Sequence, residues 1–142
     1  MMGLRRARVL IVEDDPDLLV ILRVNLEAAG FETSLAGDGR TALARIEAEQ
    51  PDLVVLDVML PGVDGWTVLE ELRARHDDVP VIVCSAKRHV EDRAKADALG
   101  AVGYIVKPFD IDRLVDDATR AVSRRPDVDP SFGTQAEGLD PA

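Results

Sequence analysis

The sequence is short of several residue types, and each shortage excludes a class of protein. Its single cysteine, Cys84, cannot form a disulfide within the chain, so the fold is not a disulfide-stabilised secreted scaffold. Aromatic residues make up only 4% of the chain, so its core must rest on Val, Leu, Ile and Ala. No apolar run approaches the roughly 18 residues that a membrane-spanning helix requires. The apolar run near the N-terminus stops at Glu13 without a small-residue cleavage site, unlike a signal peptide.

Basic residues are also in the minority. The chain has 17 Lys and Arg against 27 Asp and Glu, which gives a formal net charge of −10. Because binding to nucleic acid requires clustered Lys and Arg, this balance argues against direct DNA or RNA binding by this chain. With 142 residues and 46% hydrophobic composition, the chain has enough material for one packed domain. We expect an acidic cytoplasmic domain that contacts neither nucleic acid nor membrane.

Five short apolar runs alternate with five segments of helical period. The runs are Val9–Val12, Phe31–Leu35, Leu53–Leu56, Val79–Cys84 and Val102–Val106. Four are nearly continuous in Val, Ile and Leu, as expected of parallel strands covered on both faces, whereas the second alternates and is typical of an edge strand. The alternation predicts an α/β fold with a doubly wound, five-stranded parallel sheet.

The composition changes near the end of the fifth helical segment. Residues 1–122 carry the strand–helix alternation, whereas 123–142 contain three prolines, two glycines and no apolar period. We therefore expect one domain over 1–122 and an acidic, proline-rich disordered tail over 123–142.

Polar side chains follow four of the predicted strands. Glu13 and Asp14 follow the first strand, Asp57 the third, Ser85 the fourth and Lys107 the fifth. In an open α/β sheet, ligands bind beyond the carboxyl ends of the strands, so we expect these side chains to share one site. Clustered carboxylates repel one another unless a divalent cation such as Mg²⁺ lies among them. An aspartate beside that ion can attack a phosphoryl group, whose oxygens a lysine and a hydroxyl can stabilise.

These residues stand in motifs that resemble the bacterial response-regulator receiver domain, the phospho-accepting unit of two-component and phosphorelay signalling. The motifs are VLIVEDDP at 9–16, LDVMLPG at 56–62 with Asp64-Gly65 after it, CSA at 84–86 and GYIVKPF at 103–109. The resemblance covers roughly residues 7–122. It implies a flavodoxin-like (βα)5 fold of the chemotaxis-regulator type, with strand order 2-1-3-4-5.

The resemblance also assigns the phosphorylation and metal sites. It implies that Asp57 is the phospho-acceptor. Mg²⁺, or Mn²⁺ in its place, would be bound by Asp14, Asp57 and the backbone carbonyl of Met59. Glu13 would act through a metal-bound water.

Three further residues acquire roles in the same way. Ser85 would hydrogen-bond a phosphoryl oxygen, and its movement would be coupled to an aromatic switch at Tyr104. Lys107 would pair with Asp57 or its phosphate, and the Lys107–Pro108 peptide bond would be cis. Ordinary packing remains an alternative role for Tyr104.

Simpler roles fit some of the neighbouring residues. Asp15, followed by Pro16, has the pattern of a helix N-cap, so we assign the cap to Asp15 and keep Asp14 for the metal. Cys84 lies within an apolar run and is predicted to be buried and inert. The arginines at positions 5, 6 and 8 are predicted to be a solvated N-terminal cluster.

Two interpretations of the whole protein follow. In the first, a stand-alone signalling switch, not an enzyme with its own substrate, receives phosphate from a histidine kinase or phosphotransfer protein. It then presents the surface of the fourth helix, fifth strand and fifth helix to a downstream protein, as a monomer or a phosphorylation-dependent dimer. In the second, the chain is the receiver fragment of a DNA-binding transcription regulator.

The charges of that surface favour the stand-alone interpretation. Winged-helix regulators of this family dimerise through the surface by a set of charged pairs. Arg93 fits the set, but Gly103 stands where an acid is usual, Arg113 replaces an acid and Asp117 replaces a base.

Two other classes of protein share parts of the pattern. A Mg²⁺-dependent phosphatase with an aspartate nucleophile typically needs a second acid two residues later, where this chain has Met59. A flavin-mononucleotide protein of flavodoxin type needs a Ser/Thr/Gly-rich loop after the first strand. Here Glu13 and Asp14 would repel the phosphate.

Overall fold

The computed structural model describes residues 5–75, 77–86 and 90–123, and strands and helices alternate along them. The strands are β1 (Arg8–Val12), β2 (Glu32–Ala36), β3 (Leu53–Asp57), β4 (Val81–Ser85) and β5 (Gly103–Val106). The helices are α1 (Pro16–Ala28), α2 (Gly39–Glu49), α3 (Gly65–Ala74), α4 (Val90–Ala98) and α5 (Ile111–Val122). Among the described helices, none has the length and apolar character to cross a membrane. Apart from Ser123, the predicted tail lies outside the described residues.

All five strands are parallel and lie in the order β2-β1-β3-β4-β5, so the predicted fold class and strand order are confirmed. β2 is an edge strand, as its alternating sequence predicts. The last residue of β1, Val12, is in register with Ala36 on one side and Leu56 on the other. Asp57 is in register with Cys84 of β4. This register brings the residues that follow β1 and β3 to neighbouring positions at one edge of the sheet.

The strand ends differ from the apolar runs by one or two residues. Phe31 and Val79 lie just before β2 and β4 and are buried, although they do not pair with a neighbouring strand. They are apolar because the backbone enters the hydrophobic core at these positions. Asp57 and Ser85 are themselves the last residues of β3 and β4. Both polar residues are therefore fixed by sheet pairing and do not lie in a loop.

Two apolar layers cover the two faces of the sheet. On one face, strand residues such as Ile11 and Val55 pack with buried residues of α1 and α5. On the other face, Leu10 and Val54 pack with buried residues of α2, α3 and α4. Successive residues of a strand point to opposite faces, which explains why nearly every position in the central strands is apolar.

Aspartates begin most of the helices. Asp15 accepts hydrogen bonds from the backbone N–H groups of Asp17 (3.0 Å) and Leu18 (3.5 Å), so its predicted role as the N-cap of α1 is confirmed. Asp38 and Asp64 cap α2 and α3 in the same manner. A capping side chain satisfies backbone donors that the first helical turn leaves unpaired.

Arg5 is exposed to solvent, as predicted, but it also forms an ion pair that the sequence did not predict. Its guanidinium donates to both carboxylate oxygens of Asp52, at 2.6 and 2.7 Å. The backbone N–H of Arg8 donates to the same carboxylate at 2.8 Å. Asp52 is 2% exposed, and a buried carboxylate is stable only with such charged partners. Arg5 thus ties the N-terminus to the start of β3.

Candidate functional site

Three carboxylates meet at the carboxyl edge of the sheet. Oxygen atoms of Glu13, Asp14 and Asp57 all lie within 4.8 Å of one another. Glu13 and Asp57 are buried, at 2% and 3% exposure, whereas Asp14 is exposed to solvent. The cluster forms because β1 and β3 are neighbours in the sheet.

Lys107 places a cation against two of these carboxylates. Its Nζ donates to Oε1 of Glu13 at 2.6 Å and to Oδ2 of Asp57 at 3.0 Å. Its backbone N–H donates to the carbonyl of Ser85 at 2.8 Å, so the turn after β5 is attached to the end of β4. The Lys107–Pro108 peptide bond is cis, as predicted. The pattern of strand ends therefore brings Lys107 to the acidic cluster.

Burial and charge shift the protonation of this group. Burial raises the pKa of Glu13 from its ordinary 4.5 to about 7, the hydrogen bond from Lys107 opposes this change, and the charge of Asp57 adds to it. Burial alone would lower the pKa of Lys107, but hydrogen bonds to Glu13 and Asp57 outweigh that effect and raise it. The lysine therefore stays charged at neutral pH, beside a Glu13 carboxylate whose pKa is raised chiefly by burial.

Both oxygens of Asp57 have a donor. The backbone N–H of Met59 donates to Oδ1 at 2.9 Å, and Lys107 binds Oδ2. The loop that supplies the Met59 N–H is held by a bond from the Gly65 N–H to the carbonyl of Val58, at 3.1 Å. A Cβ atom at position 65 would lie 2.4 Å from the Asp57 carbonyl oxygen, so the close approach of α3 requires glycine. Sequence reasoning identified Gly65 as part of a motif but missed this steric reason for it.

Ser85 and Tyr104 lie on β4 and β5, the two strands that follow β3 in the sheet. Ser85 is fully buried at the end of β4, beside the strand that carries Asp57. Tyr104 is 5% exposed and packs in the apolar layer of α2, α3 and α4, with the guanidinium of Arg93 5.2 Å from its ring centroid. The arrangement agrees with packing for Tyr104. The roles of Ser85 and Tyr104 in switching remain predictions.

The chemistry of the donor set fits a hard divalent cation. Glu13, Asp14 and Asp57 offer oxygen atoms only, and oxygen ligands suit Mg²⁺ and Mn²⁺. Lys107 contacts two of the three carboxylates, so the described side chains of the cluster carry more negative than positive charge, which attracts such an ion.

Fold and site together define a class of protein: a doubly wound α/β domain with an acidic, lysine-containing pocket at the carboxyl edge of its sheet. Residues 9–119 match the family described as the response regulator receiver domain, and the chain belongs to this family. A solved structure, the receiver domain of the Francisella response regulator 1452, is similar with a TM-score of 0.81 and 32% identity. The match covers 84% of this chain and 98% of the Francisella domain.

Curated relatives of the chain are regulators of transcription. The transcriptional activator protein IrlR of Burkholderia pseudomallei is 50% identical over 118 residues, which are 83% of this chain and 51% of IrlR. The DNA-binding dual master transcriptional regulator RpaA of Synechocystis is 39% identical over 134 residues, which are 93% of this chain and 55% of RpaA. The chain thus spans about half the length of these relatives.

Proposed function

We propose that this domain accepts a phosphoryl group on Asp57, in a Mg²⁺-dependent reaction, from a histidine kinase or phosphotransfer protein. The observation that carries the proposal is the position of the Asp57 carboxylate. It is buried, bonded to Lys107 at 3.0 Å and to the Met59 N–H at 2.9 Å, and adjacent to two further acids. The match to the receiver family supports the same role.

The proposed transfer forms one bond and breaks another. An Asp57 carboxylate oxygen attacks the phosphorus of a phosphohistidine, the P–N bond breaks, and the imidazole leaves with the electron pair and takes up a proton. The product on this chain is an acyl phosphate. The Lys107 ammonium stays close enough to neutralise charge on the phosphoryl oxygens.

The metal site is part of this proposal. Asp14, Asp57 and the Met59 carbonyl would hold Mg²⁺, or Mn²⁺ in its place, and Glu13 would act through a bound water. The ion would supply positive charge next to the phosphoryl oxygens. Mutual repulsion of the carboxylates supports this assignment, because their oxygens lie within 4.8 Å of one another.

Phosphorylation would then act as a switch. Ser85 would bond a phosphoryl oxygen, and its movement would be coupled through Tyr104 to the face formed by α4, β5 and α5. The domain would promote its own phosphorylation and dephosphorylation without turning over another substrate. Relatives that are transcription regulators support this interpretation over an aspartate-nucleophile phosphatase.

At the scale of the whole protein, the relatives favour the receiver of a DNA-binding transcription regulator over a stand-alone switch. We adopt that function. The residues at three positions of the charged-pair set, Gly103, Arg113 and Asp117, favour the stand-alone alternative instead. With a net charge of −10, this chain itself would leave contact with DNA to another part of the protein. In our proposal the receiver occupies 1–122, an acidic tail follows over 123–142, and the site of action is the cytoplasm.

Phosphorylation by acetyl phosphate tests the proposal. We expect intact-mass spectrometry to show one added phosphoryl group when Mg²⁺ is present and none in EDTA or in Asp57→Asn. Asp15→Asn is the matched control, because it makes the same chemical change two residues from Glu13 and asparagine still caps α1. Phosphorylation that persists in Asp57→Asn, or that proceeds fully in EDTA, would refute the proposal.

A further inference from the structure

The loop between β3 and α3, residues 58–64, is held at both ends. At its start, the N–H of Met59 donates to Oδ1 of Asp57 at 2.9 Å. The Gly65 N–H, just after the loop, donates to the carbonyl of Val58 at 3.1 Å. This loop carries the Met59 carbonyl, a proposed metal ligand. Contacts that fix the rest of the loop therefore bear on the position of that atom.

The last part of the loop lies against the first residue of α2. A Cβ atom at Gly39 would lie 2.2 Å from the carbonyl oxygen of Val63 and 3.0 Å from its Cγ1. Since 2.2 Å is far shorter than van der Waals contact, the helix and the loop approach this closely only because residue 39 is glycine. Gly39 is buried, and Val63 packs against the apolar layer of α2, α3 and α4.

The same end of α2 is linked to the acids that follow β1. Ala36, the last residue of β2, accepts a hydrogen bond from the N–H of Glu13 at 3.0 Å. Asp38 then caps α2 and accepts hydrogen bonds from the backbone N–H (2.8 Å) and the hydroxyl (3.1 Å) of Thr41, which fixes the first helical turn. The start of α2 is thus tied to Glu13 through the end of β2 and contacts loop 58–64 directly.

Helix stability does not explain this glycine. In a helix, alanine is more stable than glycine where there is space for its methyl group, because glycine loses more backbone entropy on folding. At Gly37, two residues earlier, a Cβ atom would have its nearest neighbour, the Glu13 carbonyl oxygen, 4.0 Å away. The steric demand is therefore specific to position 39, where α2 meets Val63.

We propose that Gly39 is a positioning residue for the metal site. By letting α2 lie directly on Val63, it fixes loop 58–64 relative to the acids that follow β1. The Met59 carbonyl is thereby held where it can bind the same ion as those acids. Gly39 acts through the loop and does not contact the ion. The inference rests on the proposed function, because the Met59 carbonyl is a metal ligand only in that proposal.

Binding of Mn²⁺ to the full chain, followed by loss of the electron paramagnetic resonance signal of the free ion, tests the inference. We expect Gly39→Ala to bind Mn²⁺ about tenfold more weakly than the wild type, as is typical when a group that orients a metal ligand is changed. Gly37→Ala is the matched control, since it adds the same methyl group where there is space. Ala44→Gly is a second control, because it weakens α2 at an exposed position. Both controls should bind like the wild type.

Hydrogen exchange in the absence of metal gives a second readout. In Gly39→Ala the Met59 N–H should exchange faster than in Ala44→Gly, because a displaced loop weakens the bond from this N–H to Asp57. A purely structural role of Gly39 would affect the two variants alike. If circular dichroism shows that Gly39→Ala does not fold, Val63→Ala tests the same contact from the side of the loop and should also weaken Mn²⁺ binding.

Four results would overturn the inference. Mn²⁺ binding by Gly39→Ala, or by Val63→Ala in its place, that equals the wild type would do so, as would equal weakening in either control. Asp14→Asn separates this failure from failure of the metal site: if it loses affinity for Mn²⁺ while Gly39→Ala keeps it, only the inference fails. If the wild type binds no Mn²⁺, or Asp14→Asn binds like the wild type, the proposed metal site fails and the inference fails with it.

Discussion

Asp57 shows how single atoms set the chemistry of the site. Its carboxylate is buried, yet both oxygens have donors, one from a backbone N–H and one from an ammonium group. A buried charge without such partners would cost several kcal/mol. The Asp57 carboxylate also lies next to Asp14. The side chain of Asp14 is exposed to solvent and is therefore accessible to an incoming ion.

Removal of Asp14, a proposed metal ligand, should abolish the stabilisation of the fold by Mg²⁺. At a Mg²⁺ concentration about a hundred times the dissociation constant, bound ion should stabilise the wild type by about 2–3 kcal/mol. We expect thermal unfolding of Asp14→Asn to be insensitive to Mg²⁺, whereas Asp15→Asn should respond like the wild type. A full Mg²⁺ response in Asp14→Asn would mean that the ion binds elsewhere.

Gly65 gives a steric prediction. A Cβ atom there would lie 2.4 Å from the Asp57 carbonyl oxygen, so Gly65→Ala must push α3 away from Asp57. We expect a loss of about 1–3 kcal/mol in the free energy of unfolding, together with slower phosphorylation. Gly37→Ala is the control, because its nearest neighbour would be 4.0 Å away. Urea unfolding measures both, and equal stability of the two variants would contradict the proposed close approach.

Cys84 gives a pH prediction. Burial raises the pKa of its thiol to about 12, and the side chain is 2% exposed. Since only the thiolate reacts readily, at pH 8 the native protein should resist iodoacetamide and react fully once unfolded in urea. Rapid modification of the native protein at that pH would show that the thiol is accessible and ionised.

Among the described helices, α4 depends heavily on polar contacts. Ala96 is its only residue in the buried core, so cation–π contacts of Arg93 with Tyr104 and of Lys95 with Trp66 supplement its packing. The residues just after α4 are held by Arg73 of α3, which donates to the carbonyls of Leu99 (2.6 Å) and Gly100 (3.3 Å). A weakly buried helix held in this way is suited to a small displacement.

Loss of the Arg73 contacts should loosen the end of α4. Arg73→Met should lower the free energy of unfolding by about 1–3 kcal/mol, because partly buried backbone carbonyls, such as that of Leu99, lose a charged donor. Hydrogen exchange should rise around 99–102. Arg75→Met is the control: the ion pairs that Arg75 makes with described residues lie at the surface, so this variant should change stability by less than about 1 kcal/mol. Unchanged exchange at 99–102 in Arg73→Met would show that these bonds do not hold the helix.

The elements also show what a sequence can predict. Apolar runs and helical periods predict the alternation of strands and helices, and strand-end polar residues predict the site, because parallel strands end at one edge. The adjacency of β1 and β3 does not follow from alternation alone and came from the family resemblance. The pair between Arg5 and Asp52 was missed, because no local pattern links residues so far apart in the chain. The role of Gly65 likewise depends on a close approach that only coordinates reveal.

At the scale of the molecule, charge is divided by region. Three carboxylates gather at the carboxyl edge of the sheet, whereas the surface between α4, β5 and α5 carries three arginines and two aspartates. IrlR and RpaA, relatives about twice as long as this chain, are regulators of transcription.

The central claim is that phosphate is carried by Asp57, and chemical trapping tests it most directly. Borohydride reduces an acyl phosphate of aspartate to homoserine, which peptide mass spectrometry can locate. After treatment with acetyl phosphate and Mg²⁺, we predict homoserine at position 57 and none after treatment in EDTA. Homoserine at Asp14 or Asp15 instead, or equal labelling in EDTA, would contradict the account.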